Sequence, residues 1–418
     1  LKSAKRLGSK RLSFVLFLYL DRPAFLEMQG TLWPSGPSDE AVQATHMDAA
    51  LAKISCAKLG YFEDRFMEGL VRSVRPQPRS PLIHRGYYSR VTAMRSVVQR
   101  FLERCPGGQG VQIVNLGAGF DTTYFWLRDS PSRFRDDLVY FEVDFAEILT
   151  KKLSAISRRE ALWPLLDTNC KEDFVADSLS ASGTRELRSP HYRFVSADLR
   201  FIGELSDGLA GAGFRDDVPT LFLAECVLVY MQSMHGDSII EWAAKAVPRA
   251  PSAIAVYEQT NPNDRFGKMM VENLMSRGCP LLSIHDYPTF DATETRYKQR
   301  GWERFFIADM LRIYNALLDQ RDVQRVNKLE LLDEFEEWNL IQAHYFVLVA
   351  TRAPGRGVDA EGQDGAATGD GNESWVHSLA ESPFEAPAQP IVPVMPQSSQ
   401  CQPKASGGYS SVQAGVEA

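Results

Sequence analysis

The sequence has none of the cysteine pairs at C-x-x-C spacing that hold structural zinc or act as redox dithiols. Its six cysteines are scattered over 418 residues, and its seven histidines show no spacing typical of metal ligands. We therefore expect no metal site and no disulfide framework, which makes a reducing compartment, the cytoplasm, the default location. No apolar run approaches the roughly 20 residues that a membrane-spanning helix needs, so no membrane span is expected.

Extreme composition is also absent. Hydrophobic residues make up 44% and charged residues 24% of the chain, as in ordinary globular proteins, which excludes a wholly disordered or collagen-like protein. The net charge of -7 argues against a chain built mainly to coat nucleic acid, so we expect no nucleic-acid partner. We see no internal repeat, and we expect a monomer of about one to three domains.

The first 46 residues do not look like part of the folded body. Basic residues precede the short apolar run Phe14–Leu20, in the order of a secretion signal, but Asp21-Arg22-Pro23 follows in place of a small-residue cleavage site. The chain starts with Leu1, and Met28 is an alternative start. We interpret residues 1–46 as a disordered or mis-annotated leader, with a targeting segment as the alternative.

The last part of the chain, residues 354–418, is rich in Gly, Ala, Ser, Pro, Gln and acids, as in GVDAEGQDGAATGDGNES. Such a stretch offers few apolar side chains to offset the entropy lost on ordering, so we predict a disordered tail. Trp375, Phe384 and Ile391–Val394 interrupt this composition. We interpret them as incidental, with a docking motif as the alternative.

Between these ends lies a body, residues 47–353, in which apolar strand patterns alternate with helical patterns. The predicted strands are Val111–Leu116, Leu138–Asp144, Arg193–Ser196, Thr220–Ala224, Ala253–Tyr257 and His344–Ala350. Strands that are apolar on both faces and alternate with helices are typical of a parallel sheet covered on both sides. We therefore predict an α/β fold, a doubly wound, mostly parallel sheet with one ligand cleft at the carboxyl ends of its strands.

Helices are predicted on either side of this pattern. Two of them, Met47–Leu59 and Tyr87–Leu102, precede the first strand and form a predicted N-terminal helical cap beside the cleft. A late helix is predicted over Ala308–Leu317.

The segment Asn115–Thr123, NLGAGFDTT, follows the first predicted strand and carries the strongest local pattern. Gly117 and Gly119 allow a tight turn and the close approach of a ligand, where the next helix begins. The third glycine of the dinucleotide fingerprint is replaced by Thr122, and Asp121 puts a negative charge where a pyrophosphate would lie. That charge favours a cationic cofactor, S-adenosylmethionine, over a nicotinamide dinucleotide; a purely structural glycine turn is the alternative.

Acidic residues end or follow the next three strands. Asp144 lies about 25 residues after the glycines, where a carboxylate accepts both ribose hydroxyls; its alternative role is to cap the next helix. Asp198 and Leu199 follow the third strand and can bind the adenine amino group and pack on its ring, unless Asp198 is a solvated turn residue. Glu225 ends the fourth strand and suits the ammonium group of the cofactor.

Two basic residues of the predicted cap, Lys53 and Arg90, can bring positive charge to the cleft, although such residues usually face solvent. A guanidinium binds a carboxylate through two hydrogen bonds, so one of the pair could hold such a group. Cys226 lies beside Glu225 without an apparent basic partner, and we interpret it as a packed thiol rather than a nucleophile.

Taken together, these motifs resemble the leucine carboxyl methyltransferase family over about Asp48–Thr351. The segments that carry the resemblance are RGYYSRV, QIVNLGAGFDTT, YFEVDF, SADLR, PTLFLAECVLVYM, YEQTNPNDRFGKMM, DMLRIYNALLDQ and LELLDEFEEW. The resemblance implies a fold of the S-adenosylmethionine-dependent methyltransferase type and S-adenosylmethionine as the cofactor. The cofactor-binding residues that it implies are Lys53, Arg90, Gly117, Asp144, Asp198, Leu199 and Glu225.

Members of this family methylate the C-terminal leucine of the catalytic subunit of protein phosphatase type 2A. The resemblance implies the same activity, the same protein partner and a role in regulating holoenzyme assembly. The acceptor is then a peptide α-carboxylate, whose pKa of about 3.5 leaves it ionised at neutral pH. Catalysis needs no general base and consists of holding the reacting groups in line, so we assign no catalytic residue.

Two other interpretations stay open. A related branch methylates the carboxyl group of a wybutosine precursor in tRNA, but it typically carries a long repeat-rich propeller after the shared core, where a disordered tail is predicted here. The other is a non-catalytic module that binds the phosphatase. Intact acids at Asp144, Asp198 and Glu225 argue against loss of cofactor binding.

Overall fold

A seven-stranded sheet organises the structure, which is a computed structural model. Residues 39–71, 79–168, 175–179, 185–187, 189–355 and 370–384 are described. The strands are β1 (Val111–Leu116), β2 (Leu138–Asp144), β3 (Val175–Leu179), β4 (Arg185–Leu187), β5 (Tyr192–Ser196), β6 (Thr220–Glu225), β7 (Ser252–Gln259), β8 (Arg304–Asp309) and β9 (Tyr345–Arg352). Of these, β3 and β4 pair with each other in a separate antiparallel hairpin.

The strand order of the main sheet, β5–β2–β1–β6–β7–β9–β8, reverses direction beside β1. From β1 the chain moves outward through β2 to β5 and returns to β6 on the other side of β1, which creates a topological switch point between β1 and β6. Strands β5, β2, β1, β6 and β7 are parallel, whereas β9 is antiparallel to both β7 and β8. The predicted doubly wound, mostly parallel sheet is confirmed.

Helices precede, separate and follow the strands. They are α1 (Asp39–Lys58), α2 (Met67–Leu70), α3 (Pro81–Arg104), α4 (Thr123–Arg128), α5 (Ala146–Ser157), α6 (Ile202–Gly211), α7 (Ser233–Lys245), α8 (Arg265–Ser276), α9 (Phe290–Lys298), α10 (Met310–Arg312), α11 (Gln320–Val326), α12 (Phe335–Gln342) and α13 (Asp370–Glu381). Short 3-10 helices lie at Glu160–Leu166 and Leu228–Tyr230, and one π-helical turn lies at Ile313–Leu317. Within the described ranges, no helix combines the length and apolarity needed to cross a membrane.

Two apolar layers cover the two faces of the sheet. One layer joins α1, α3 and α5 to the face that carries Ile113 of β1, and the other joins α6, α7 and α9 to the face that carries Val114. Both of these side chains are fully buried. Because successive residues of a strand point to opposite faces, a strand covered on both sides must be apolar throughout, which is the pattern that predicted β1.

The two cap helices are longer than the sequence predicts. α1 begins at Asp39 rather than at Met47, and α3 begins at Pro81 rather than at Tyr87. Proline suits the first turn of a helix because the N–H that it lacks would have no intrahelical partner there. The predicted domain boundary at residue 46 therefore falls inside α1, and residues 1–38 of the predicted leader lie outside the described residues.

His84 of α3 connects the parts of the cap through hydrogen bonds. Its Nε2 lies 2.7 Å from Oγ of Ser55 on α1, and its Nδ1 lies 2.6 Å from Oε2 of Glu330, which also accepts a hydrogen bond from Tyr61. Burial lowers the pKa of His84, against the effect of the Glu330 carboxylate. A neutral imidazole donates through one nitrogen and accepts through the other, so it can satisfy both neighbours.

The helix predicted over Ala308–Leu317 is wrong at its start. Residues Arg304–Asp309 form the edge strand β8, which pairs antiparallel with β9, and helical structure follows only after it. Phe305 and Ile307 contact one apolar layer, and Phe306 contacts the other. This alternation is the period-two pattern of a strand, and it outweighs the helical pattern of the residues that follow.

Helix α13 lies within the tail that the composition predicts to be disordered. Val376 and Leu379 are fully buried, Phe384 is buried, and the Trp375 ring lies 5.6 Å from that of Phe101 on α3. The prediction of disorder is therefore wrong for residues 370–384, because this stretch concentrates apolar side chains that dock on the chain's own body. The remaining tail residues, 356–369 and 385–418, lie outside the described residues.

Replacing the buried leucine of α13 tests whether this helix is docked in solution. We expect Leu379→Ala to lower the free energy of unfolding by about 2–5 kcal/mol, because it leaves a cavity in a packed interface. Urea denaturation monitored by circular dichroism measures the change. Leu331→Ala is the matched control, since Leu331 is 85% exposed; it should change stability by less than about 0.5 kcal/mol. Equal stability of the two variants would contradict a docked α13.

Candidate cofactor site at the carboxyl edge of the sheet

Gly117 and Gly119 begin the loop after β1, and both have a left-handed backbone, with φ of +64° and +53°. A Cβ at Gly117 would lie 2.7 Å from Cγ2 of Val227, which is closer than packed atoms come. The N–H of Gly119 donates to Oδ2 of Asp144 at 2.7 Å. The loop thus joins the ends of β1 and β2 to the segment after β6, and it requires glycine for both conformation and space.

Asp144 ends β2 and holds the glycine loop. Its Oδ2 accepts from the N–H of Gly119, and its Oδ1 accepts from the N–H of Phe145 at 2.7 Å. Burial raises the pKa of the Asp144 carboxyl, and these two N–H groups oppose the increase. Phe145, not Asp144, stands at the N-cap of α5, so the helix-capping alternative is wrong. Each carboxylate oxygen keeps a second lone pair, so Asp144 can still accept hydroxyl groups.

Asp198 and Leu199 follow β5, beside the end of β2. The guanidinium of Arg200 forms hydrogen bonds with the Asp198 carboxylate. Nη2 of Arg200 lies 2.6 Å from Oδ2 of Asp198, and Nε lies 2.9 Å from Oδ1. Burial would raise the pKa of Asp198, but the hydrogen bonds from Arg200 outweigh it and lower the pKa. Leu199 is buried and belongs to the apolar layer that contains Val114. An amino group that binds Asp198 therefore shares the carboxylate with Arg200.

Arg90 of α3 and Glu225 at the end of β6 form an ion pair. Nε of Arg90 lies 2.7 Å from Oε2 of Glu225, and Nη2 donates to the Glu225 main-chain oxygen at 3.4 Å. The guanidinium also lies over the ring of Tyr257, 4.8 Å from its centroid. The pair presents a cation and an anion side by side, which complements the α-carboxylate and α-ammonium of an amino acid.

Lys53 of α1 pairs with Asp121 in the glycine loop. Its Nζ lies 3.4 Å from Oδ1, and the N–H of Thr123 donates to Oδ2 at 3.0 Å. Burial would raise the pKa of Asp121, but the charges of Lys53 and Lys152 and the hydrogen bond from Thr123 outweigh it and lower the pKa to about 2. The Asp121 carboxylate therefore stays ionised at neutral pH, with Lys53 as its partner.

No sequence pattern predicted the ion pair beneath this loop, between Lys152 of α5 and Glu142 of β2. Both side chains are fully buried, and Nζ lies 2.5 Å from Oε2 of Glu142 and 2.6 Å from the main-chain oxygen of Asp121. Burial raises the pKa of Glu142 to about 7, against the charge of Lys152. The pair supports the backbone of the glycine loop. In the sequence, this ion pair is indicated by a charged residue inside the apolar strand pattern YFEVD.

Cys226 adopts a left-handed backbone directly after Glu225, with φ of +57°. Burial raises the pKa of its thiol to about 12, against the charge of Arg90. The thiol is therefore protonated at neutral pH, which supports its interpretation as a packed side chain rather than a nucleophile. In the part of the chain that the structure describes, no group of three His, Cys, Asp or Glu side chains could hold a metal ion.

The structure brings the predicted cofactor residues to one edge of the sheet. Four strand ends supply Gly117, Asp144, Asp198 with Leu199, and Glu225, and the cap supplies Lys53 and Arg90. A half-buried hydroxyl acceptor, a paired cation and anion for an amino-acid end, and a glycine loop that carries the ionised Asp121 fit S-adenosylmethionine. The fold and the site define the class of S-adenosylmethionine-dependent methyltransferases.

Comparison with known proteins identifies the family. The family model described as leucine carboxyl methyltransferase matches residues 41–244. A protein from Arabidopsis thaliana named leucine carboxyl methyltransferase 1 homolog is 39% identical over 345 residues, which cover 82% of this chain and 97% of that protein. Leucine carboxyl methyltransferase 1 from Bos taurus is 34% identical, with coverage of 80% and 95%. The chain belongs to the leucine carboxyl methyltransferase family, and its cofactor is S-adenosylmethionine.

Two further similarities concern a longer protein and a solved structure. A Homo sapiens protein named tRNA wybutosine-synthesizing protein 4 is 36% identical over 315 residues, which are 75% of this chain but 44% of that protein. The solved structure of an O-methyltransferase family protein from Burkholderia thailandensis covers 75% of this chain and 72% of its own, at 12% identity and a TM-score of 0.35. A structural similarity this low supports no inference about this chain.

A single methyl group at Gly117 should damage the site. Alanine cannot adopt the left-handed conformation without strain, and its Cβ would meet Val227, so we expect Gly117→Ala to weaken the binding of S-adenosylhomocysteine by at least about tenfold. Isothermal titration calorimetry measures the affinity. Gly107→Ala is the control, because nothing lies within 4 Å of a Cβ there; unchanged affinity in Gly117→Ala would show that the loop does not shape the site.

Proposed function

We propose that this protein transfers the methyl group of S-adenosylmethionine to the C-terminal leucine α-carboxylate of the catalytic subunit of protein phosphatase type 2A. The product is a methyl ester, which regulates assembly of the phosphatase holoenzyme. The observation that carries the proposal is 39% identity over 97% of a protein named leucine carboxyl methyltransferase 1 homolog. We further propose that the protein acts as a cytoplasmic monomer on this protein partner, with no nucleic-acid or membrane partner.

For cofactor binding we propose one role for each residue of the site. Arg90 and Glu225 hold the α-carboxylate and the α-ammonium of the methionine part, and Lys53 adds positive charge beside the α-carboxylate. Asp144 accepts the ribose hydroxyls, while Asp198 and Leu199 hold the adenine. Gly117 lets the backbone come close to the cofactor. The cofactor supplies a methyl group bonded to a positively charged sulfur.

The reaction requires little acid–base catalysis from the residues of this chain. A peptide α-carboxylate is already ionised at neutral pH, so no proton has to be removed from it. The chain must place one carboxylate oxygen in line with the methyl carbon and keep water out of the cleft. A cation that gripped this carboxylate tightly would stabilise the ground state and slow the reaction, so we assign Arg90 to the cofactor instead.

Removing the Arg90 side chain tests that assignment. We expect Arg90→Ala to weaken S-adenosylhomocysteine binding by roughly 10- to 100-fold, because a hydrogen bond between charged groups contributes about 1.5–3 kcal/mol. Equilibrium binding measured by calorimetry gives the change. Arg215→Ala serves as the control, since Arg215 is an exposed arginine paired with Asp217 before β6. If Arg90→Ala keeps its affinity for the cofactor product but loses the protein substrate, Arg90 holds the substrate carboxylate.

The tRNA-modifying activity is the second candidate. It is favoured by 36% identity to tRNA wybutosine-synthesizing protein 4, although this chain spans less than half of that protein. Both candidates methylate a carboxyl group, so the cofactor site does not distinguish them. The net charge of -7 favours the protein acceptor over a polyanionic tRNA.

Methyl transfer from tritiated S-adenosylmethionine separates the candidates. The acceptors are intact phosphatase catalytic subunit, the same subunit without its terminal leucine, and tRNA that carries the wybutosine precursor. We expect label on the intact subunit alone, and we expect mild alkali to release it, because a carboxyl methyl ester hydrolyses readily. Label on tRNA alone would establish the second candidate. Cofactor binding without transfer to any acceptor would support a non-catalytic binding module.

A further inference from the structure

A buried carboxylate outside the predicted cofactor residues, Glu258 of β7, faces the segment that follows β6. We call this segment, Cys226–Met231, the β6 loop. Glu258 is 5% exposed, and its Oε1 accepts a hydrogen bond from the N–H of Val229 at 2.9 Å. Burial raises the pKa of the Glu258 carboxyl, and the charge of Arg296 and the backbone N–H groups of Val229, Leu228 and Val227 oppose this rise. One buried side chain therefore holds the N–H of Val229 and acts electrostatically on the two preceding N–H groups of the loop.

The β6 loop needs such support because of how it begins. Cys226 has a left-handed backbone, which is unfavourable for a residue with a Cβ. Its own N–H donates to the Tyr257 oxygen at 2.7 Å, which continues the pairing of β6 with β7. After Cys226 the chain turns, so that the N–H of Val229 meets Glu258 at the neighbouring position of β7. The Glu258 carboxylate thus compensates for a conformation that is otherwise unfavourable.

The same loop touches two parts of the cofactor site. Glu225 immediately precedes it, and the Glu225 main-chain oxygen accepts a hydrogen bond from Arg90. Val227, the second residue of the loop, lies against Gly117, where Cγ2 would be 2.7 Å from a Cβ. If the loop relaxed, Glu225 would move relative to Arg90, and the glycine turn would lose its neighbour.

Other groups around Glu258 help to design the controls. Arg296 is 4% exposed, opposes the burial-induced rise in the pKa of Glu258, and pairs with Asp237 at 2.7 Å. Asp237 thus belongs to the same group of charges, but the loop does not depend on it for a backbone hydrogen bond. On its other side the loop contacts Ser283, whose Oγ donates to the Leu228 oxygen at 3.3 Å.

We propose that Glu258 is a positioning residue of this methyltransferase, which holds the β6 loop so that Glu225 meets the α-ammonium group of the cofactor. This inference rests on the proposed role of Glu225. Glu258 itself acts only through the loop. Its loss should therefore weaken the recognition of the methionine part of the ligand more than the recognition of the adenosine part.

Two ligands distinguish recognition of the methionine part from recognition of the adenosine part. S-adenosylhomocysteine carries the amino-acid end, and 5′-methylthioadenosine lacks it. Calorimetry measures the affinity of Glu258→Gln and Glu258→Ala for both ligands. We expect S-adenosylhomocysteine to bind at least about tenfold more weakly, since a charged hydrogen-bond partner contributes about 1.5 kcal/mol or more. For 5′-methylthioadenosine we expect a loss of affinity of less than about threefold. An amide at this position keeps the size of the side chain, but it is a weaker acceptor for the N–H of Val229.

Matched variants distinguish positioning from general damage. Asp237→Asn should lower the melting temperature while leaving the ratio of the two affinities unchanged, and Glu225→Gln should change the ratio in the same direction as Glu258→Gln. Equal losses for both ligands in Glu258→Gln, or no loss, would overturn the inference. If Glu225→Gln leaves the ratio unchanged, the proposed role of Glu225 is wrong and the inference fails with it.

Discussion

Compensation of negative charge at the carboxyl edge of the sheet is the constraint on which the rest of the structure depends. Five carboxylates lie there within a few residues of strand ends: Asp121, Asp144, Asp198, Glu225 and Glu258. A partly buried carboxylate without a partner is costly, so each needs donors or a cation close by. The structure compensates each of them differently. Lys53 pairs with Asp121, two backbone N–H groups bind Asp144, and Arg200 pairs with Asp198. Arg90 pairs with Glu225, and the β6 loop together with Arg296 compensates Glu258.

Two of these partners belong to the cap, which links the position of the cap to the cofactor site. Lys53 comes from α1 and Arg90 from α3, and His84 and Ser55 join the two helices by a hydrogen bond. A zwitterionic ligand end can take over part of this pairing, because its carboxylate and ammonium oppose the charges of Arg90 and Glu225. The same ion pair thus joins α3 to the end of β6 and, in the proposed function, presents complementary charges to the cofactor.

Most of the site could be predicted because its residues stand next to strand ends. The ends of β1, β2, β5 and β6 are visible in the sequence as the points where apolar runs stop, and a parallel sheet brings those points to one edge. That rule located Gly117, Asp144, Asp198 and Glu225 without knowledge of any contact. It also led to errors at the periphery, where strand β8 was not predicted, its last two residues were assigned to a helix, and α13 was taken for disorder, because edge strands and terminal helices depend on the surface they pack on.

The sequence by itself determined the parallel core, the glycine turn and the acids at the strand ends, because these depend on continuous apolar runs and on the residues at which those runs stop. The tertiary structure alone decided which cation meets which acid, and that Glu142, Lys152 and Glu258 are buried supports of the site. Glu142 and Glu258 lie inside strands that are otherwise apolar, and a sequence cannot show whether such a residue faces a partner. Burial of a charge is favourable only where partners from distant segments converge, and that convergence is a property of the fold.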